Sequence, residues 1–217
     1  MSRFDLVIFD NDGVLVDSET IANQALAEML NGYGLDVTWH DCVERYLGST
    51  LGRVRDLVEE ELGHPVPADF EARYRATVYP RLAESVQPIP GVVDVLDRLD
   101  AAGVTACVAS SGIHERIRIT LTTTGLVDRF EGRMFSAQDV GHGKPAPDLF
   151  LYAAASMGVA PERCAVVEDA PAGIAAADAA AMTVFGYAAL TPRWLLEGAS
   201  GGVVDDMAQL PGLLLGP

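Results

Sequence analysis

A four-residue apolar run, Leu6-Val7-Ile8-Phe9, ends abruptly in Asp10-Asn11-Asp12-Gly13. A strand buried on both faces reads as a continuous apolar stretch of this kind, and such strands belong to parallel sheets covered by helices. Asp, Asn and Gly then stop the strand. Two carboxylates just past its end lie where open α/β sheets bind ligands. Spaced i, i+2, Asp10 and Asp12 can serve one reacting centre in different roles, one attacking and one moving protons. A solvated turn is the competing explanation of the same residues.

The remainder of the chain divides into two parts. From Ser18-Glu19 to Gln87 the pattern is helical, with Ile21, Ala25, Leu26, Met29 and Leu30 at helical spacing and further helices expected near 39–46, 51–62 and 68–85. No strand is expected there. After Pro88-Ile89-Pro90-Gly91 strands and helices alternate. Strands are expected at 104–109, near 134–135, at 164–167 and at 183–185, with helices from 92, and at 113–124, 147–157 and 171–181. Alternation of this kind predicts an α/β fold with a Rossmann-like parallel sheet. The expected organisation is a core of residues 1–16 and 88–217 interrupted by an α-helical insert, 17–87.

Charge and cysteine usage narrow the function classes. The formal net charge of −16 argues against nucleic-acid binding. A small anionic substrate remains compatible, because a local cation outweighs a distant negative surface. Cys42, Cys107 and Cys164 are odd in number and lack metal-type spacing, so reduced, buried thiols are expected. The N-terminus enters a strand at once and no apolar run approaches membrane-spanning length. A cytoplasmic protein without membrane partners is the expectation. A monomer is compatible with the sequence, which does not fix the oligomeric state.

Three further strand ends carry polar residues. Ser110-Ser111-Gly112 offers hydroxyls and backbone N–H groups suited to phosphate oxygens, or simply a helix cap. Lys144 stands between Gly143 and Pro145, whose backbone restraints aim its side chain. His142 nearby is a pocket residue or a surface one. Glu168-Asp169 closes an apolar strand and either caps the next helix or completes an oxygen-ligand site for a hard cation such as Mg²⁺. Four carboxylates in one crevice need such a cation.

These motifs, in this order and each at or just after a strand end, resemble the haloacid dehalogenase superfamily of phosphohydrolases. The helical insert after the first motif is similar to the cap of its β-phosphoglucomutase-like branch. Met1-Ser2-Arg3, Asp17-Ser18-Glu19 and Leu210-Pro211-Gly212-Leu213 loosely resemble sugar phosphatases of the 6-phosphogluconate phosphatase type. The resemblance implies a Mg²⁺-dependent phosphatase of a small phosphorylated metabolite, a sugar phosphate or sugar-acid phosphate. Asp10 would be the nucleophile that forms an aspartyl-phosphate, and Asp12 the acid and base. Ser110, Ser111 and Lys144 would hold the phosphoryl group. Mg²⁺ would rest on Asp10, the Asp12 carbonyl oxygen, Asp169 and Glu168. The presence of Asp12 favours phosphoryl over dehalogenase chemistry. A sugar phosphomutase is the alternative, but Ala22 and Leu51 stand where that mutase has a histidine and an arginine. Substrate choice is expected from the insert, where Glu19, Ser49, Thr50 and Arg53 are the leading candidates, Gly48 marking a loop. Asn23, Arg45 and Tyr46 are further ones.

Overall fold

In the computed structural model, which describes residues 3–46 and 49–216, the opening apolar run is strand β1 (Leu6–Phe9), buried along its whole length. Four helices follow: α1 (Glu19–Gly32), α2 (Trp39–Tyr46), α3 (Leu51–Leu62) and α4 (Phe70–Ser85). Alternation then begins with α5 (Val92–Ala101), β2 (Thr105–Ser110), α6 (His114–Thr123), α7 (Val127–Phe130) and β3 (Met134–Ser136). It continues through α8 (Asp148–Ser156), β4 (Cys164–Glu168), α9 (Pro171–Ala179), β5 (Thr183–Tyr187), β6 (Gly202–Val204) and α10 (Leu210–Leu215). The elements expected from the sequence are all present, with bounds shifted by a residue or two. Helices α7 and α10 and strand β6 are additional. Each is too short, at four, six and three residues, for hydrophobic periodicity to reveal it.

The six strands form one sheet in the order β3-β2-β1-β4-β5-β6, every pair parallel. Both faces are covered. Val7, Phe9, Val108 and Val167 join the buried residues of α5, α6 and α10 on one face. Leu6, Ile8, Cys107 and Val166 pack with α8 and α9 on the other. Double coverage is why the strands show no polar alternation.

Chain direction across the sheet reverses between β1 and β4, the place where such sheets bind ligands. Register fixes what meets there. Phe9 pairs with Val108 on one side and Val167 on the other. The next residue of each strand therefore brings Asp10 level with Ala109 and Glu168, and the Asp10 N–H donates to the Val167 carbonyl at 3.0 Å.

Beyond β1 the chain turns tightly. The Gly13 N–H donates to Val16 O, and the Leu15 and Val16 N–H groups both donate to Asn11 O. The outgoing and returning linkers then run side by side, with Asp17 N donating to Gln87 O (2.9 Å) and Ile89 N to Leu15 O (3.0 Å). Helices α1–α4 lie between these crossings. Leu26, Leu30, Val54, Phe70, Val78 and Leu82 bury their apolar faces in the cluster that covers one face of the sheet.

Candidate active site

Lys144 is the hub of the strand-end cluster. Its Nζ donates to Asp10 Oδ1 at 2.6 Å, to Glu168 Oε1 at 2.5 Å and to the Ala109 carbonyl at 3.0 Å. It also lies 4.9 Å from the centre of the Phe150 ring. The side chain is only 4% exposed. Burial by itself would lower the ammonium pKa, but Asp10 and Glu168 outweigh it and hold Lys144 protonated, above the ordinary lysine value. Asp10 feels the opposite balance. Burial pushes its carboxyl up, the Lys144 charge pulls it down, and Glu168 and Asp12 push it up again, leaving it at about 7.

Asp12 has a partner that the sequence motifs do not include. Arg116, on α6, donates to Asp12 Oδ1 from Nε at 3.0 Å and from a terminal nitrogen at 2.7 Å. Ser18 Oγ, at the start of α1, donates to the same oxygen at 2.5 Å. Burial raises the Asp12 carboxyl, yet the Arg116 charge and the hydrogen bonds from Arg116, Ser18 and Asn11 hold it below its ordinary value. Thr120, one helical turn beyond Arg116, accepts from Asn11 Nδ2 at 3.1 Å. One face of α6 thus grips both residues that follow Asp10.

Glu168 and Asp169 differ although they are adjacent. Glu168 is engaged at both oxygens, Oε1 by Lys144 and Oε2 by the Ala170 N–H at 3.0 Å. No described residue donates a hydrogen bond to Asp169. Burial, Glu168 and Asp10 together push its carboxyl well above the usual carboxylate range. A buried carboxylate with acidic neighbours and no donor favours an approaching cation.

The donor chemistry fits a hard ion. Among the described residues no three His, Cys, Asp or Glu side chains converge to ligate one ion. Two carboxylates, Asp10 and Asp169, with a backbone carbonyl and waters, are the sparse oxygen set that Mg²⁺ accepts and that larger cages do not need. Against Lys144, the acids Asp10, Glu168 and Asp169 leave an excess of negative charge that a divalent ion balances.

Ser110 is buried, and its Oγ accepts from the Gly112 N–H at 3.0 Å, which fixes the turn into α6. Ser111 beside it is exposed towards the crevice. Above the strand ends opens a cavity of about 590 Å³. Asp10, Asp12, Ser110, Ser111, Lys144, Glu168 and Asp169 form its floor, so the structure brings every expected core residue to one place.

The helical insert forms much of the remaining wall, which core residues such as Ile113, Arg116 and Thr191 complete. Glu19, Asn23, Tyr46, Ser49 and Thr50 line it as expected. Arg53 and Arg45 do not. Arg53 is exposed on α3, and Arg45 pairs with Glu61 at 3.0 Å on the outside. Gly48 lies outside the described residues. His142 is on the surface, 3.1 Å from Asp148. Arg116, Tyr74, Arg75 and Tyr79 also line the cavity and have no sequence motif to announce them.

Comparison with known proteins agrees with this geometry. The family model for haloacid dehalogenase-like hydrolases matches residues 4–181. The chain is 32% identical over 190 residues to 6-phosphogluconate phosphatase of Escherichia coli (strain K12), covering 87% of this chain and 85% of that protein. It is 33% identical over 181 residues to fructose-1-phosphate phosphatase of the same organism, covering 83% and 94%. A haloacid dehalogenase-like protein of unknown function from Agrobacterium tumefaciens superposes with a TM-score of 0.87 at 36% identity, covering 97% of each chain. With its acids, lysine and serine gathered at the ends of a doubly covered parallel sheet, the chain belongs to the haloacid dehalogenase-like hydrolases.

Proposed function

We propose that the protein is a Mg²⁺-dependent phosphatase of small phosphorylated metabolites, sugar phosphates or sugar-acid phosphates, acting through an aspartyl-phosphate on Asp10. The observation that carries this reading is Asp10 at the end of β1, held by Lys144 at 2.6 Å on the floor of a cavity that also holds Asp12. The relatives whose names specify phosphatases support the same class.

In this reading Asp10 attacks phosphorus and expels the alcohol, which splits one difficult hydrolysis into two displacements. Lys144 holds Asp10 and offers positive charge where the transferring oxygens gather. Ser110 and Ser111 supply hydroxyl and backbone donors to the phosphoryl group. Asp12 hands a proton to the leaving oxygen and later takes one from water. Arg116 and Ser18 favour its ionised form, the form the second step requires. Asp10, the Asp12 carbonyl and Asp169 would hold Mg²⁺, which when bound supplies charge that neutralises the acids and polarises the phosphoryl oxygens. Residues 17–87 act as a cap over a core of 1–16 and 88–217, hinged at the paired linkers, and exclude bulk water. Ala22 and Leu51 both line the cavity, so the positions where a mutase carries its histidine and arginine offer no second phosphate site. No helix among the described residues is long and apolar enough to cross a membrane. The free cysteines and acidic surface are consistent with cytoplasmic work on metabolites.

Phosphate release from a panel of phosphate esters, with and without Mg²⁺, tests the proposal. Turnover should require Mg²⁺ and be lost on chelation. Asp10→Asn should lose at least about 10³-fold in kcat. No turnover of any ester, or full activity in Asp10→Asn, overturns it.

A further inference from the structure

A substrate in the cavity must satisfy every charged group of its wall. Of the described wall residues, Lys144, Arg116 and Arg75 are the cations. Lys144 is taken by Asp10 and Glu168. Arg116 is taken by Asp12, and both side chains are largely buried, at 14% and 17% exposure. Arg75 is taken by Glu71 at 2.8 Å, and Glu71 is itself a wall residue. Arg53, one of the candidates from the sequence, is off the wall.

Opposed to these stands Glu19, at the start of α1. Asn23 Nδ2 donates to Glu19 Oε2 at 3.2 Å and to the Glu19 carbonyl at 2.9 Å, which braces the side chain. No described residue donates to its other carboxylate oxygen, and no described cation forms a salt bridge with it, the Arg116 charge acting on it only from a distance. Burial first, and then the charge on Asp12, raise its pKa, with the Arg116 charge and the Asn23 hydrogen bond opposing them in part. Ionised, Glu19 repels an anion and accepts hydrogen bonds from hydroxyls. Protonated, it would carry an O–H donor instead, so the repulsion of an anion belongs to the ionised form.

Resting on the phosphatase reading, we propose that Glu19, braced by Asn23, selects substrates whose phosphate is their only anionic group: phosphate monoesters of neutral sugars and polyols rather than sugar-acid phosphates or bisphosphates. A second anion would enter a wall with no uncommitted cation and face an unpaired carboxylate. A hydroxyl would find the free Glu19 oxygen as acceptor. Displacing an anion's hydration without replacing it is costly, whereas a hydroxyl satisfied at both ends is not. The cavity, at about 590 Å³, is of a size that suits a small ligand of this kind.

The test compares esters matched in carbon number and phosphate position: a hexitol 6-phosphate, a hexose 6-phosphate, a hexonate 6-phosphate and a hexose bisphosphate, with p-nitrophenyl phosphate as a reference. For the wild type, kcat/KM should be at least about tenfold higher for the two neutral esters, a discrimination of about 1.4 kcal/mol, mostly through KM. Glu19→Gln should narrow the ratio by improving KM for the hexonate ester. Asn23→Asp, which adds a carboxylate beside Glu19, should widen it. Equal or better turnover of the hexonate ester by the wild type overturns the charge rule and leaves the phosphatase reading standing. A ratio unmoved in both variants overturns the assignment to Glu19. Absence of phosphate release from every ester, the reference included, overturns the phosphatase reading and this proposal with it.

Discussion

Two glycines leave the space that the acids of the floor occupy. Gly13 has φ +77°, and a Cβ there would stand 2.0 Å from Asp169 Oδ2. A Cβ on Gly173, in α9, would stand 1.9 Å from the Glu168 carboxyl. Alanine at 13 should cost about 1–2 kcal/mol from the left-handed backbone alone and move Asp169, weakening Mg²⁺ binding in a calorimetric titration. Alanine at 173 should destabilise in denaturant melts, although a helix interior ordinarily gains about 1 kcal/mol from Gly→Ala. Arg116→Ala should cost about 3 kcal/mol or more, because it leaves the buried Asp12 carboxylate without its cation. The same melts measure it. At this scale the sequence discloses one class of site residue well. Asp10, Ser110 and Glu168 each break an apolar run, and a polar break at a strand end is legible. Arg116 is not, since a charged residue on an amphipathic helix looks like any solvated one. The available signal is Thr120, a polar residue within the buried stripe of Ile117, Thr120 and Leu121.

Helix α6 works as a ruler laid against the Asp10–Asp12 loop. Arg116 and Thr120, four apart and so on one face, reach Asp12 and Asn11 respectively. Thr120→Val keeps the shape but leaves the Asn11 amide short of its acceptor. It should lower stability by about 1–3 kcal/mol and reduce kcat more than KM, as steady-state kinetics on any accepted ester would show. Helix α1 has a matching task, since Ser18 at its start touches Asp12 while Glu19 and Asn23 face the cavity. The extent of these helices was legible from spacing, but the direction each one faces was not. Which side of α4 turns Tyr74, Arg75 and Tyr79 to the cavity depends on how α1, α3 and α6 pack around it, and pairwise packing leaves no periodic mark on one segment. Arg53 shows the same limit: the helix was expected correctly, yet the residue falls on its outer side.

Over the whole molecule, sheet order and burial decide behaviour that no single site controls. Cys42, Cys107 and Cys164 are all free and buried, and burial raises each thiol, Cys42 and Cys164 to about 11. A thiol reagent should therefore find almost none in the native protein and all three after denaturation, in agreement with the expectation drawn from their spacing. Strand order was the least legible feature, because alternation implies a parallel sheet without ranking its strands. That order has a consequence during synthesis. β1 leaves the ribosome before the other five strands but occupies the middle of the sheet, paired with residues 105–108 on one side and 164–167 on the other. At about 5–20 residues per second, its second partner arrives roughly 8–30 s after it. Until β2 emerges Leu6–Phe9 is an unpaired apolar strand, and until β4 emerges it keeps one open edge, a segment prone to associate with other chains. Asp5 precedes it and Asp10 and Asp12 follow it, so the carboxylates that later line the cavity floor first serve as gatekeepers of a strand waiting for its neighbours.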